Sequence, residues 1–415
     1  MKKLLLAAGL AAVVMSPAQA APAQGSSAPH KLLVLSVDGL DWRYIRDADK
    51  LGLKIPNIRK LLARSEYADG VIGVWPTITW PSHTAIITGA RPDQSSILSN
   101  GRGPLDPALS YWSANKLQVP TLWQCAGARG LTTATITWPV TMEAKVTWNL
   151  PEVFLRRNGG SMDLEAIQKY ATPGLVEEIT HAYPSFAQQW VDDRTRALAT
   201  LFLLRHKQPD LILTHFVDLD SEAHDQGPFA VNANAILERS DELIGDLIKA
   251  LPKNYDFALV SDHGFERIDR IANMKVEAQA AGLTGDIEPM GGIVVTRDPA
   301  VAAWLRGQSG KDGSDVGREI PHDELVRYAP KLADVTAAFE PVDHVLFFGR
   351  DASGPAHSTP PEKGDHGFWP LRHNYRSVFL LSGPGVTPRN LGPVEMISLE
   401  TRLAKPLGLS CPKPE

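Results

Sequence analysis

Four aspartates and three histidines stand in short clusters along this chain: Asp38, Asp220 with His224, Asp262-His263, and Asp365-His366. Carboxylate oxygens and imidazole nitrogens without a thiolate suit hydrolytic zinc or a harder cation. Singly, each cluster has an ordinary explanation. Asp38-Gly39 can be a turn after an apolar run, and an Asp and a His four apart occur on any polar loop. The tripeptide Asp-His-Gly, found at 262 and again at 365, can be a capped turn with a hydrogen-bonded histidine. Their joint occurrence points to a metal centre. Thr77 lies in Trp75-Pro76-Thr77-Ile78-Thr79-Trp80-Pro81, just ahead of a helical stretch, Ser82 to Thr88, that Gly89 ends. A hydroxyl at a helix start is commonly an N-cap. The same place favours an alkoxide or a phosphate oxygen, because backbone N–H groups and the positive helix end point there. An alcohol is a poor nucleophile at neutral pH unless a base or a metal activates it.

The clusters need a frame, and the apolar runs supply one. Leu32 to Val37, Leu211 to Val217, Phe257 to Val260 and Val378 to Leu381 are continuous rather than alternating, as strands buried on both faces are. Amphipathic stretches lie between them: Asn57 to Arg64, Phe186 to Lys207 and Val231 to Leu251. This alternation predicts an α/β fold, a mostly parallel central sheet flanked by helices. Ligands collect at the carboxyl ends of such strands, where Asp38, Asp220, His224 and Asp262-His263 fall. Residues 31–270 and 361–400 read as the core, 401–415 as a C-terminal tail. Residues 271–360, rich in turn formers around Gly307 to Gly317, read as an inserted cap.

Lys2-Lys3, the apolar run Leu4 to Met15 and Ala18-Gln19-Ala20 have the order of a secretory signal peptide over residues 1–20, followed by a disordered leader over 21–30. The apolar run is too short for a membrane span of about 20 residues. The net charge is −5 and becomes more negative once the two lysines are removed, which argues against a nucleic-acid polymer as partner. Cys125 and Cys411 are the only two cysteines. Export permits a bridge between them, but sequence does not place their Cα atoms within reach, so both states stay open.

Several segments together resemble the nucleotide pyrophosphatase/phosphodiesterase family of the alkaline-phosphatase superfamily. These are Leu35-Ser36-Val37-Asp38-Gly39-Leu40, Pro56-Asn57-Ile58, Trp75 to Pro81 with His83, Ser96 to Asn100, and Pro120 to Trp123 with Trp138-Pro139. Asp218 to His224, Ser261 to Gly264 and Asp365 to Gly367 complete the set. The resemblance implies an alkaline-phosphatase-like fold and two Zn2+ per chain. One zinc would be held by Asp38, Thr77, Asp262 and His263, the other by Asp220, His224 and His366. It implies that Thr77 attacks the phosphorus of a small phosphate ester and that water then cleaves the phospho-threonine. Asn100, with the backbone N–H of Ile78, would steady the phosphate oxygens. His215 and Asp218 are expected behind the ligands, Asp365 in a structural role, and His373 has no assignment.

Two other enzymes of the superfamily, a phosphomonoesterase and a phosphonoacetate-type C–P hydrolase, can share such a site. They differ in wanting an added cation, for which Arg102, Lys116, Lys145, Arg156 and Arg157 are candidates by chain order. A more distant alternative is a non-catalytic zinc-binding secreted protein. Family members that cleave nucleotides often carry a large aromatic after the nucleophile; Ile78 stands there. Weaker base stacking is expected, unless Trp75 or Trp112 supplies a platform.

Overall fold

The computed structural model describes residues 30–100, 113–153, 164–186, 191–290, 292–349 and 354–412. The expected signal peptide and all but the last residue of the leader lie outside the described residues. So do Arg102, Trp112, Arg156 and Arg157.

Eight strands form the main sheet: β1 (Lys31–Val37), β2 (Glu66–Tyr67), β3 (Thr133–Ile136), β4 (Trp148–Leu150), β5 (Leu211–Phe216), β6 (Tyr255–Val260), β7 (Phe379–Ser382) and β8 (Arg389–Asn390). Their spatial order is β8-β2-β7-β6-β1-β5-β3-β4. The centre is parallel, with Leu35 opposite Thr214 of β5 and Leu259 of β6. Every apolar run seen in the sequence is a strand here, and β5 and β6 are buried at every position. One strand is reversed within the mostly parallel sheet: β7 runs antiparallel to β6, with Phe379 opposite Val260 and Ser382 opposite Phe257. The cause is the order of loop and strand. Asp262 and His263 follow their strand, whereas Asp365 and His366 precede theirs, so β7 leaves the site end of the sheet and must run away from it.

Alternate residues of β1 feed two cores, as the two-residue period of a strand requires. Leu33, Leu35 and Val37 pack with Ala197 of the helix Asp193–Phe202 and with Leu237 and Ile244 of the helix Val231–Ala250. Leu32 and Val34 pack on the other side with Ile86, Trp123 and Leu403. Residues 271–360 contribute to a second, four-stranded sheet ordered Glu288–Met290, Ile293–Thr296, Ala337–Pro341 and Val316–Glu319, all neighbours antiparallel. Ile293 and Val295 on one of its faces pack with Leu325, Tyr328 and Trp369, and Trp75 lies against this cluster. Trp369 follows the His366 loop and Trp75 precedes Thr77, so the second sheet abuts both segments.

The last described residues pack on the core. Leu403, Ala404 and Leu407 are buried, and Cys411 is disulfide-bonded to Cys125 with Cα atoms 5.7 Å apart. Closing a loop of this length restricts the unfolded chain. Cys125→Ser is expected to cost about 2–5 kcal/mol of unfolding free energy. Denaturant unfolding of oxidised wild type, reduced wild type and the variant checks this, and the last two should coincide.

Candidate active site

Asp38 is the first residue after β1 and Asp262 lies two beyond β6. The pairing of Ser36 with Val260 sets them side by side. One ligand atom from each of Asp38, Asp262 and His263 lies within 4.8 Å of the others, and all three residues are buried. His263 Nε2 faces both carboxylates, 3.2 Å from Asp38 Oδ1 and 3.1 Å from Asp262 Oδ2. Each carboxylate is tethered by its other oxygen. Gly39 N–H donates to Asp262 Oδ1 at 3.1 Å, and His215 Nε2 lies 2.9 Å from Asp38 Oδ2.

The helix Asp218–Gln226 follows β5 and carries Asp220 and His224 one turn apart, a spacing that puts them on one face. His366 arrives from the loop before β7 and completes a second group, again with ligand atoms within 4.8 Å of one another. The groups adjoin, since the rings of His263 and His366 stack with centroids 3.7 Å apart. In all three histidines Nδ1 faces a backbone carbonyl: Gly364 O at 3.0 Å for His224, Gly264 O at 3.1 Å for His263 and Thr77 O at 3.3 Å for His366. Such bonds leave Nε2 as the ligand atom and fix the ring.

Do these residues fit a cation? Asp38 Oδ1, Asp262 Oδ2, His263 Nε2 and Asp220 Oδ1 are buried without a hydrogen-bond partner, a costly state for polar atoms that a metal removes. Electrostatics agree. Burial and the nearby Asp38 charge push Asp220 up to about 7 and Asp262 up to about 6. Burial also opposes the charge on Asp38, but the hydrogen bond with His215 and the nearness of His263 outweigh it and hold Asp38 well below the usual carboxylate range. Burial lowers His224, yet Asp220 and Glu362 raise it to about 9. His366 is driven well below its ordinary value by burial and by His263 and His224. This is a set of buried carboxylates short of positive charge. A third cluster, Glu277, Asp315 and His357, has similar spacing. It differs in that Arg270 already pairs with Asp315, and His357 Nε2 lies 2.7 Å from the other oxygen.

Thr77 is not an N-cap. The helix runs Thr79–Thr88 and its cap position is Ile78. The buried Thr77 hydroxyl instead donates to Phe368 O at 2.6 Å and lies 3.0 Å from Tyr375 Oη, while Thr77 O accepts from Gly367 N at 3.0 Å. The nucleophile candidate is thereby tied to the His366 loop. Burial pushes the Tyr375 phenol far above its ordinary value, so it stays protonated. Asn100 Oδ1 accepts from Trp80 N at 2.9 Å and its Nδ2 donates to Thr79 Oγ1 at 3.2 Å, which places the amide at the helix start beside Thr77. The Ile78 N–H, expected to face phosphate, is bonded to Pro76 O at 2.9 Å instead. A helix preceded by so tight a turn uses that amide locally.

His215 lies behind Asp38 as expected. Asp218 is turned toward Asp193 N and Arg196, away from either group. Asp365 Oδ1 accepts from the His366 amide at 2.8 Å, and His373 is exposed. A cavity of about 530 Å³ opens beside His366, lined by Ile78, Gly367, Lys275, Glu288, Phe347 and Phe348 among others. Phe348 is 57% exposed. Trp75 packs on Trp369, ring centroids 6.0 Å apart, and does not line this cavity. A larger cavity of about 1220 Å³, lined by His30, Asp256 and Leu407 among others, sits at the amino ends of β1 and β6, remote from both groups.

A parallel-centred sheet with two adjoining donor groups at its carboxyl ends is an α/β fold of the alkaline-phosphatase type. A family model described as type I phosphodiesterase / nucleotide pyrophosphatase matches residues 32–346, and the chain belongs to that family. It is 27% identical over 257 residues to venom phosphodiesterase 2 of Crotalus adamanteus, covering 59% of this chain and 28% of that protein. It is 22% identical over 287 residues to human ectonucleotide pyrophosphatase/phosphodiesterase family member 7, covering 64% of this chain and 54% of that protein. The chain thus spans about a quarter and about half of these relatives' lengths. The structure of an inactive form of murine ectonucleotide pyrophosphatase/phosphodiesterase 5 in complex with AMP aligns with a TM-score of 0.64 at 16% identity, over 93% of this chain and 97% of that one.

Proposed function

We propose that this chain is an exported, two-zinc phosphodiesterase/nucleotide pyrophosphatase that cleaves small phosphate diesters through a phospho-Thr77 intermediate. The observation that carries this reading is the pair of adjoining donor groups with orphaned buried ligand atoms, next to a buried threonine whose main-chain carbonyl is bonded to His366. Asp38, Asp262 and His263 with Thr77 would hold one ion, and Asp220, His224 and His366 the other. Bound zinc would supply Lewis-acid stabilisation of charge on the phosphoryl, attacking and leaving oxygens. The chain's own residues do the rest. Thr77 Oγ forms a bond to phosphorus as the bond to the ester oxygen breaks and that oxygen takes a proton. Water then bonds to phosphorus, the bond to Thr77 Oγ breaks, and the hydroxyl regains its proton. Asn100 would orient a phosphate oxygen, a role supported by its amide being anchored on Thr79 and Trp80 at the helix start. Export is supported by residues 1–20 and by the Cys125–Cys411 bond. No helix among the described residues is long and apolar enough to cross a membrane.

The cavity favours diesters over monoesters. Ile78, Leu346, Phe347 and Phe348 give it apolar lining beside the acidic Glu288 and Asp365, and Lys275 is the one cationic side chain among its described lining residues. Phe348 supplies the aromatic surface that Ile78 lacks, and AMP in the murine relative is a ligand of matching chemistry. Stacking on an aromatic is worth about 1–3 kcal/mol per base. Phe348→Ala is therefore expected to lower kcat/KM about 5- to 100-fold for a nucleotide aryl ester and to leave a methyl aryl phosphodiester within about twofold. The deciding experiment is a panel at fixed zinc: nucleotide and methyl aryl diesters, an aryl monoester and phosphonoacetate. A monoester or phosphonoacetate ranked first would reject the diester reading, and zinc binding without turnover of any member would reject the enzyme.

A further inference from the structure

The Thr77 hydroxyl carries one hydrogen, and its neighbours decide where that hydrogen goes. Phe368 O, 2.6 Å away, can only accept. Thr77 therefore donates to it, and the contact at 3.0 Å to Tyr375 must be a bond donated by the phenol. The phenol oxygen in turn accepts from Gly367 N–H at 3.1 Å. The chain of donors thus has one direction, Gly367 to Tyr375 to Thr77 to Phe368. Tyr375 is itself held, 2% exposed, with its ring edge-on to Phe368 and against Gly264, where a Cβ would meet it at 3.1 Å.

We propose that Tyr375 is the positioning residue of the nucleophile: its O–H holds Thr77 Oγ in place through the formation and the cleavage of the phosphorus bond. This rests on Thr77 being the nucleophile. The reason lies in which bond survives the chemistry. Once Thr77 has lost its hydrogen the bond to Phe368 O cannot be made, whereas a phenol donor still points at the oxygen and binds a charged acceptor more strongly than a neutral one. Thr77 Oγ is the attacking atom in the first half-reaction and the leaving atom in the second, so one donor serves both.

Tyr375→Phe removes the donor to Thr77 together with one acceptor of Gly367 N–H. The ring stays, and Gly367 N–H keeps its second acceptor, Thr77 O at 3.0 Å. In rapid-quench kinetics on the zinc-loaded variant, the rates of Thr77 phosphorylation and of phospho-enzyme hydrolysis should both fall about 10- to 100-fold, the usual cost of a hydrogen bond to a charged group. Zinc content and the affinity for a non-hydrolysable phosphonate diester should stay within about twofold of wild type. Affinity for orthovanadate, which mimics the five-coordinate phosphorus bonded to Thr77 Oγ, should fall by the same factor as the rates. Unchanged rates would overturn the proposal. So would vanadate and the phosphonate weakening together, because the phenol would then only shape the pocket. Acid-quenched wild type tests the parent reading separately: absence of label on Thr77 ends the nucleophile, while labelled wild type with an unaffected Tyr375→Phe ends this proposal alone.

Discussion

Thr77→Ala is expected to lower kcat by a factor on the order of 10⁴ to 10⁶, the range in which loss of a covalent nucleophile falls, with the fold intact and most zinc retained. Six side-chain donors remain in the two groups, none of them bonded to the Thr77 side chain; His366 meets only its main-chain carbonyl, which alanine keeps. The substitution leaves Phe368 O without its donor and the Tyr375 phenol without its acceptor in a buried site. That should cost about 1–3 kcal/mol of stability, well short of unfolding a domain held by two cores and a disulfide. Thr77→Ser keeps the hydroxyl but loses the Cγ2 methyl that faces Gly73, where a Cβ would meet it at 3.0 Å. A freer hydroxyl spends less time in line with phosphorus, so serine should retain part of the activity, about 10- to 100-fold below wild type if misplacement governs the rate. Turnover of both variants beside metal analysis of the same preparations is the measurement. An alanine variant as active as wild type would make water, not Thr77, the nucleophile.

What could be read without coordinates follows from how local each signal is. Asp38 and Asp262-His263 end apolar runs that are strands, and Asp220 with His224 shares one helical turn; both relations live within a few residues of chain. The direction of β7 was not legible, because it depends on the sheet end at which the His366 loop enters. β3, the four residues Thr133–Ile136, is half threonine and too short to show a period. Tyr375 and Phe348 are illegible in sequence for another reason. Each sits in a turn-rich segment, and its partners, Thr77 and the Ile78 wall, are hundreds of residues away in sequence. An aromatic in a turn carries no sign of what it faces. Helix starts usually leave such amides unpaired, so the Ile78 N–H reads as a phosphate donor in sequence, while the turn at Pro76 consumes it.

The purified protein should carry about two equivalents of zinc, and removing them with a chelator should depress kcat by about 10³-fold or more, the several kcal/mol of charge stabilisation that a Lewis acid provides. The expectation of two rather than three ions comes from comparing the three clusters. Buried oxygens of Asp38, Asp262 and Asp220 at the sheet end lack partners, and so does Glu277 Oε1 in the third cluster, so the charge already present decides. In the third, Arg270 already lies on Asp315 and supplies the positive charge an ion would bring. His366→Ala should therefore hold about one equivalent, and His366→Ala with Asp262→Ala about none, although Glu277, Asp315 and His357 are untouched. Stability should follow occupancy, since free zinc at about 1,000 times its dissociation constant adds about 4 kcal/mol per site to the folded state. Metal analysis after gel filtration, paired with denaturant unfolding of loaded and stripped protein, tests both numbers. An ion that survives the double substitution would move the third cluster into the metal count, and stripped protein of undiminished activity would remove zinc from the mechanism.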